Sequence, residues 1–151
     1  MGKKRGEETQ DLATLLGALQ YPATQILALY IPEKDRRGKP IKRKRTWVRQ
    51  GMKVLSIIGG GATAYPPGDG TWLAPEKREE INDLDELRDS DLVWEKTTYV
   101  YTYVDVDSFL RNAHHLRRFL HEFGRETDQG EVVFEFDEHL FRIREYNSPR
   151  A

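Results

Sequence analysis

Cysteine is absent from this chain of 151 residues. That excludes disulfides, thiolate catalysis and cysteine-ligated zinc, and it fits a cytoplasmic protein. Long apolar runs are absent too: none approaches the roughly 20 residues that cross a bilayer. No apolar segment follows Met1-Gly2-Lys3-Lys4-Arg5, so no secretory leader is expected. Net charge is nearly missing, at -1, but that figure hides two opposed blocks. Lys34 to Lys53 holds ten basic residues against Asp35 alone, and Glu76 to Glu95 holds nine acids against three bases. Such blocks are ordinarily solvated, or face one another within a molecule or across a dimer. Apolar residues at 38% suffice for one core, so a single domain is expected over residues 9–145. Residues 1–8 read as a disordered tail, 76–91 as an acidic insertion and 146–151 as a frayed end.

The periodicity gives an α+β pattern. Thr9 to Leu19 predicts a short helix with Leu12, Leu15, Leu16 and Leu19 on one stripe, ended at Tyr21-Pro22. Ile26 to Ile31 is apolar on both faces, as in a central strand. Arg45 to Ile58 predicts a helix stopped by Gly59. Ala62 to Tyr65 and Thr71 to Leu73 read as a strand interrupted by Pro66-Pro67-Gly68. The insertion reads as a loop with at most one weak helical turn. Leu92 to Val104 is the longest strand signal, rich in β-branched and aromatic residues. Asp105 or Asp107 caps the next helix, with Phe109, Ala113, Leu116, Leu120 and Phe123 on its stripe and Gly124 as its stop. Val132, Phe134 and Phe136 alternate with Glu131, Val133 and Glu135, and a turn at Asp137-Glu138 leads into a last strand. The order is a ferredoxin-like β-α-β-β-α-β sheet with two helices on one face, a short N-terminal helix and an extra C-terminal edge strand.

Several groups of residues carry candidate chemistry. Tyr99, Tyr101 and Tyr103 share one face of their strand, joined by Tyr30. Left open, that face resembles the base-stacking platform of RNA-recognition domains, although their glycine-aromatic signature is missing. Closure by another subunit, by the N-terminal helix or by packing is the plainer account, since large apolar patches are normally covered. Lys42, Arg43, Lys44, Arg45 and Arg49 suit phosphate contacts, against a plain reading as a solvated helix face. His114, Arg118, His121 and Arg125 line one side of a helix, and with Glu131 they suit acid–base work on a phosphodiester. Helix-dipole stabilisation explains the same cations. His114 and His121 are two turns apart, so no metal is expected there. Gly59-Gly60-Gly61-Ala62-Thr63 follows a helix instead of preceding one, so it is a helix stop and not a phosphate loop. Helix capping explains Asp105 and Asp107 without Mg²⁺.

Gly60-Gly61-Ala62-Thr63, then Gly70-Thr71-Trp72, Trp94-Glu95 and Arg125-Glu126-Thr127-Asp128-Gln129-Gly130-Glu131 form a recurring set of short motifs. In this the chain resembles small, uncharacterised bacterial ferredoxin-like proteins, some encoded beside restriction or phage-defence genes. The resemblance spans about residues 25–144. It implies that Thr63, Trp72, Glu95, Arg125, Gln129 and Glu131 converge as a polar turn cluster. The acidic insertion departs from the compact hairpin such proteins would have.

The sequence holds no complete catalytic constellation and implies no cofactor. It therefore favours a non-enzymatic binding or accessory protein, in a phage-defence complex, that contacts a protein partner and also nucleic acid. A small nuclease or phosphodiesterase using His114, His121 and Arg125 is the first alternative, and a structural homodimer the second.

Overall fold

The computed structural model describes residues 2–19 and 23–147, with the side chains of 2–6 left aside. A helix α1 covers Gly2–Leu16 and a strand β1 covers Gln25–Pro32. Helix α2 (Lys44–Gly59) is followed by β2 (Thr63–Ala64) and β3 (Gly68–Leu73). A six-residue helix α3 (Pro75–Glu80) and two single 3₁₀ turns precede the long strand β4 (Leu92–Val104). Helix α4 (Val106–Glu126), β5 (Val132–Phe136) and β6 (His139–Ile143) complete the chain. The result is an α+β fold with four helices and a six-stranded sheet among the described residues.

The strands lie in the order β2–β4–β1–β5–β6, with β3 on the same edge of β4 as β2, and every pairing is antiparallel. Pro66 and Pro67 cannot donate ladder hydrogen bonds, which explains why one edge partner of β4 is split into two pieces. β1 and β4 are the central pair, in register from Gln25 opposite Val104 to Pro32 opposite Thr97.

Alternation along these strands decides the core. Leu27, Leu29 and Ile31 of β1 and Val100 and Val104 of β4 meet α2 and α4. Those helices contribute Leu55, Ile58, Leu116, Phe119, Leu120 and Phe123 at helical spacing. Each fully buried side chain of this kind contributes about 1.5–3 kcal/mol. Trp47 closes the helix layer, edge-on to Phe123 at 5.3 Å and to Phe119 at 6.2 Å.

Glycines set two close approaches. The helix stop is Gly60 at φ 90°, one residue beyond the expected Gly59, and its N–H donates to the Ser56 carbonyl at 2.8 Å. A Cβ at Gly59 would meet Thr102 and the Tyr103 carbonyl, so that residue is small to let α2 approach β4. α4 likewise runs past Gly124, where a Cβ would strike the ring of Tyr146. Its N-cap is Asp105, whose carboxylate accepts from the Ser108 N–H at 2.7 Å.

Other expectations need correction. Residues 2–8 continue α1 because Lys, Arg, Glu and Gln are good helix formers. Leu12, Leu15, Leu16 and Leu19 are exposed, and among the described side chains of this helix only Ala13 is buried. The acidic insertion is more ordered than a loop: Pro75 starts α3, and Asp91 caps back onto the Arg88 N–H at 2.9 Å. Tyr146 is anchored, its hydroxyl donating to the Gln129 carbonyl at 2.9 Å, so the end expected to fray is held at least that far. The expected Tyr21-Pro22 stop and the tail from 148 lie outside the described residues.

Candidate functional site: a half-buried carboxylate beside a tyrosine cluster

The sheet face away from α2 and α4 carries the side chains that alternate with the core. β4 presents Glu95, Thr97, Tyr99, Tyr101 and Tyr103 there, while β1 presents Ala28 and Tyr30. β5 adds Val133 and Glu135, with Glu131 just before it, and the split edge strand adds Tyr65, Gly68, Gly70 and Trp72. At the end nearer Pro32 these residues bound a cavity of about 570 Å³. Its walls include Tyr30, Trp72, Glu95, Tyr99, Gln129 and Val133. Gly68 and Gly70 widen it by carrying no side chain.

The cavity has a rigid frame. Gln129 is buried, its amide donating to the Lys34 carbonyl at 3.0 Å. Its own carbonyl accepts from Arg36 at 3.1 Å and from Tyr146 at 2.9 Å. Arg36 also pairs with Asp128 at 3.0 Å. The segment after β1 and the turn after α4 are thereby fastened together. Trp72 packs against Gly130, where a Cβ would collide with its ring. Glu131 is neutralised by Arg142 at 3.3 Å and Arg144 at 2.9 Å.

Glu95 forms no ion pair among the described residues. Its Oε2 accepts from the Lys34 N–H at 3.0 Å. Burial pushes its pKa up to about 7, against the pull of that hydrogen bond and with Glu33 adding repulsion. Lys34 donates its ammonium to the Trp94 carbonyl at 2.6 Å, and Lys44 donates to the Lys96 carbonyl at 3.1 Å. Burial lowers the Lys44 pKa, partly opposed by Glu33 and Glu95.

Next to the cavity lies an aromatic cluster. Tyr99 and Tyr101 are 5.8 Å apart, and Tyr65 stands 6.0 Å from Tyr99 and 5.5 Å from Tyr101. Tyr30 meets Tyr99 edge-on at 5.2 Å, and Tyr103 meets Tyr101 edge-on at 6.1 Å. Burial, then the nearby Glu135 carboxylate, raises the phenol pKa of both Tyr30 and Tyr99.

The structure therefore divides the residues singled out from sequence. Trp72, Glu95, Gln129 and Glu131 come together around the cavity. Thr63 lies further along the edge, opposite Tyr101, and Arg125 turns away to donate to the Asn147 carbonyl at 2.6 Å. Tyr99, Tyr101 and Tyr103 lie as expected on the face away from the helices, joined by Tyr30. Lys42 and Arg43 line a groove on the helix layer with Trp47, His115 and Arg118, on the opposite side of the sheet from the tyrosines. Arg45 and Arg49 are on α2, in the same layer. His121 accepts from the Asn147 N–H at 2.9 Å, and burial followed by Arg117 and Arg125 lowers its pKa. Its ring and Arg125 thus hold the C-terminal segment. The His114 ring lies beside that of His115, centroids 4.0 Å apart and tilted by 39°. Neither histidine reaches Glu131, which faces the cavity. Among the described residues no three His, Asp or Glu side chains are grouped to hold a metal ion.

Sequence reasoning missed Tyr65 and Glu135 as site residues. Tyr65 follows a two-residue strand, too short for an alternation signal. Glu135 did alternate with the core residues, which was the available cue.

No protein-family model and no curated protein matches this chain. Among solved structures it is similar to a phage SAM lyase in complex with S-methyl-5'-thioadenosine, with a TM-score of 0.55 and 13% identity. The similarity covers 85% of this chain and 97% of that one. It is a likeness of fold to an enzyme. The expectation of a non-enzymatic accessory protein is corrected on that finding. The residues of the nuclease alternative, His114, His121 and Arg125, do not assemble with Glu131 into one site. Among the described residues no helix is long and apolar enough to cross a membrane.

Proposed function

We propose that this chain is an enzyme that binds S-adenosylmethionine (SAM) in the cavity and cleaves it without water to methylthioadenosine. The carrying observation is Glu95, an unpaired, half-buried carboxylate among aromatic and apolar walls. That arrangement suits an organic cation: opposite charge attracts it and ring faces accept it. The shared fold supports the reading only as fold. In the same reading the strand order is the ferredoxin-like one, with β2 and β3 together serving as its second strand.

The chemistry asks little of a protein. The substrate's own carboxylate oxygen attacks its Cγ, and the Cγ–S bond breaks with both electrons going to sulfur. Methylthioadenosine and homoserine lactone result, with atoms and charge balanced and no proton moved. Elimination would instead require a base to remove an unactivated C–H proton. Positive charge on sulfur vanishes as the bond breaks, so apolar walls such as Trp72, Val93 and Val133 favour the transition state over the sulfonium. Glu95 binds the substrate's α-ammonium, which keeps its charge throughout. Holding the chain folded back on itself supplies the remaining effect.

Purified protein incubated with SAM, with products separated by chromatography, tests the proposal. Methylthioadenosine formed by the wild type and reduced at least tenfold in Glu95→Gln is the expected result. No product from folded wild-type protein, at substrate concentrations that saturate binding, refutes it.

A further inference from the structure

The cleavage reading uses the cavity but leaves the tyrosine cluster beside it without a role. The two are continuous, because Tyr30 and Tyr99 line the cavity and also belong to the cluster. The rings of Tyr65, Tyr99 and Tyr101 are near-parallel, at 17°, 22° and 29°, with centroids 5.5–6.0 Å apart in each pair. Three near-parallel rings at the corners of an almost equilateral triangle cannot all stack face to face. Together they form one aromatic patch, on which Tyr65 is 52% exposed.

The rim of this surface is acidic. Glu135 stands opposite Ala28 in the strand pairing, beside Tyr30 at the cluster's margin, and Glu95 stands at the cavity end. Lys34 and Arg36 line the cavity but are engaged with the Trp94 carbonyl, Asp128 and the Gln129 carbonyl. A flat ring that donates hydrogen bonds suits such a rim, and a phosphate does not.

The geometry points to the Tyr65–Tyr99–Tyr101 cluster as a stacking subsite for the aminopurine ring of an uncharged nucleoside, opening into the cavity that takes the cationic chain. Its ligand rests on the SAM reading, but its selectivity for adenosine over phosphorylated nucleotides does not. Glu135 accepts the exocyclic amine, and the ring lies on Tyr65 and its neighbours.

Calorimetric titration of full-length protein with methylthioadenosine, adenosine and AMP tests this, beside a SAM-cleavage assay of the same preparations. Expected is measurable methylthioadenosine binding that Tyr65→Ala weakens about tenfold, the size of one lost stacking partner. Tyr65→Phe, which keeps the ring, stays within about twofold of wild type by the same measure. AMP binds less tightly than adenosine. Because Tyr65 lies on the surface, folding of its variants is checked by unchanged melting temperature, and Glu135→Gln serves as the second variant, selectively weakening adenine against inosine. Methylthioadenosine affinity unchanged in Tyr65→Ala, no binding at all, or AMP bound more tightly than adenosine would each overturn the subsite. SAM cleavage with an unaltered KM in Tyr65→Ala overturns the subsite alone. Tyrosine-dependent nucleoside binding without cleavage leaves the subsite standing and removes the lyase reading.

Discussion

Replacing Glu95 by Gln should make the protein more stable at pH 8 and leave it unchanged at pH 4.5. Burial raises this carboxyl from an ordinary 4.5 to about 7. Between those values the folded state holds a proton that the unfolded state has released, so stability falls as pH rises. The cost is absent below about 4.5 and complete above about 7. At about 1.36 kcal/mol per pH unit the full shift corresponds to roughly 3 kcal/mol. Partial exposure screens it, so about 1–2 kcal/mol is the expected gain for Gln at pH 8. Gln keeps an oxygen to accept from the Lys34 N–H, so the frame survives. For a chain of this size that gain raises the melting temperature by about 3–6 °C. Thermal melts of both proteins at pH 4.5, 6 and 8 measure it. A stability difference equal at all three pH values, or a less stable variant at pH 8, refutes the reasoning. A bound cation should also lower the Glu95 pKa, so SAM binding near pH 6 should release a proton, visible as a dependence of binding heat on buffer ionisation enthalpy.

Gln129→Leu should cost about 1–3 kcal/mol in urea unfolding, because it leaves the Lys34 carbonyl without its donor. It should loosen the cavity frame as well, seen as faster amide exchange at Arg36. Gly130→Ala should cost about 1–3 kcal/mol by forcing Trp72 off its seat, with a red shift in tryptophan emission. Leu15→Gln, on an exposed stripe of α1, should change stability by less than about 0.5 kcal/mol in the same assay.

How much of this was legible in the sequence depended on period and length. β4 and α4 are long, and their alternation or 3.6-residue stripe placed the tyrosines and the core faces correctly. The Asp137-Glu138 turn was equally clear, and both residues adopt positive φ, 52° and 63°. The expected glycine stops misled because glycine serves two purposes. Gly59 and Gly124 permit close packing by Thr102 and Tyr146, a tertiary demand that local pattern does not carry. α1 misled in another way: its leucine stripe is well spaced, yet spacing says nothing of whether a partner surface exists. Around the site, Trp72, Glu95 and Gln129 were picked out together by their motifs. The chemistry of Glu95 was not found, since burial of a carboxylate at a strand end depends on neighbours some 60 residues away. The histidine constellation failed for a related reason, as helical spacing aligned cations that the structure uses to hold its own C-terminal segment.

The three tryptophans also divide the molecule into separately readable zones. Trp47 sits among Phe119 and Phe123 in the helix layer, Trp72 forms a cavity wall against Gly130, and Trp94 is 52% exposed with its indole N–H on the Asp89 carbonyl at 2.9 Å. A protein retaining Trp72 alone would therefore carry an intrinsic optical reporter of cavity occupancy. Retaining Trp47 alone would report the core, and the same chain could then be watched filling its site and unfolding without any attached dye.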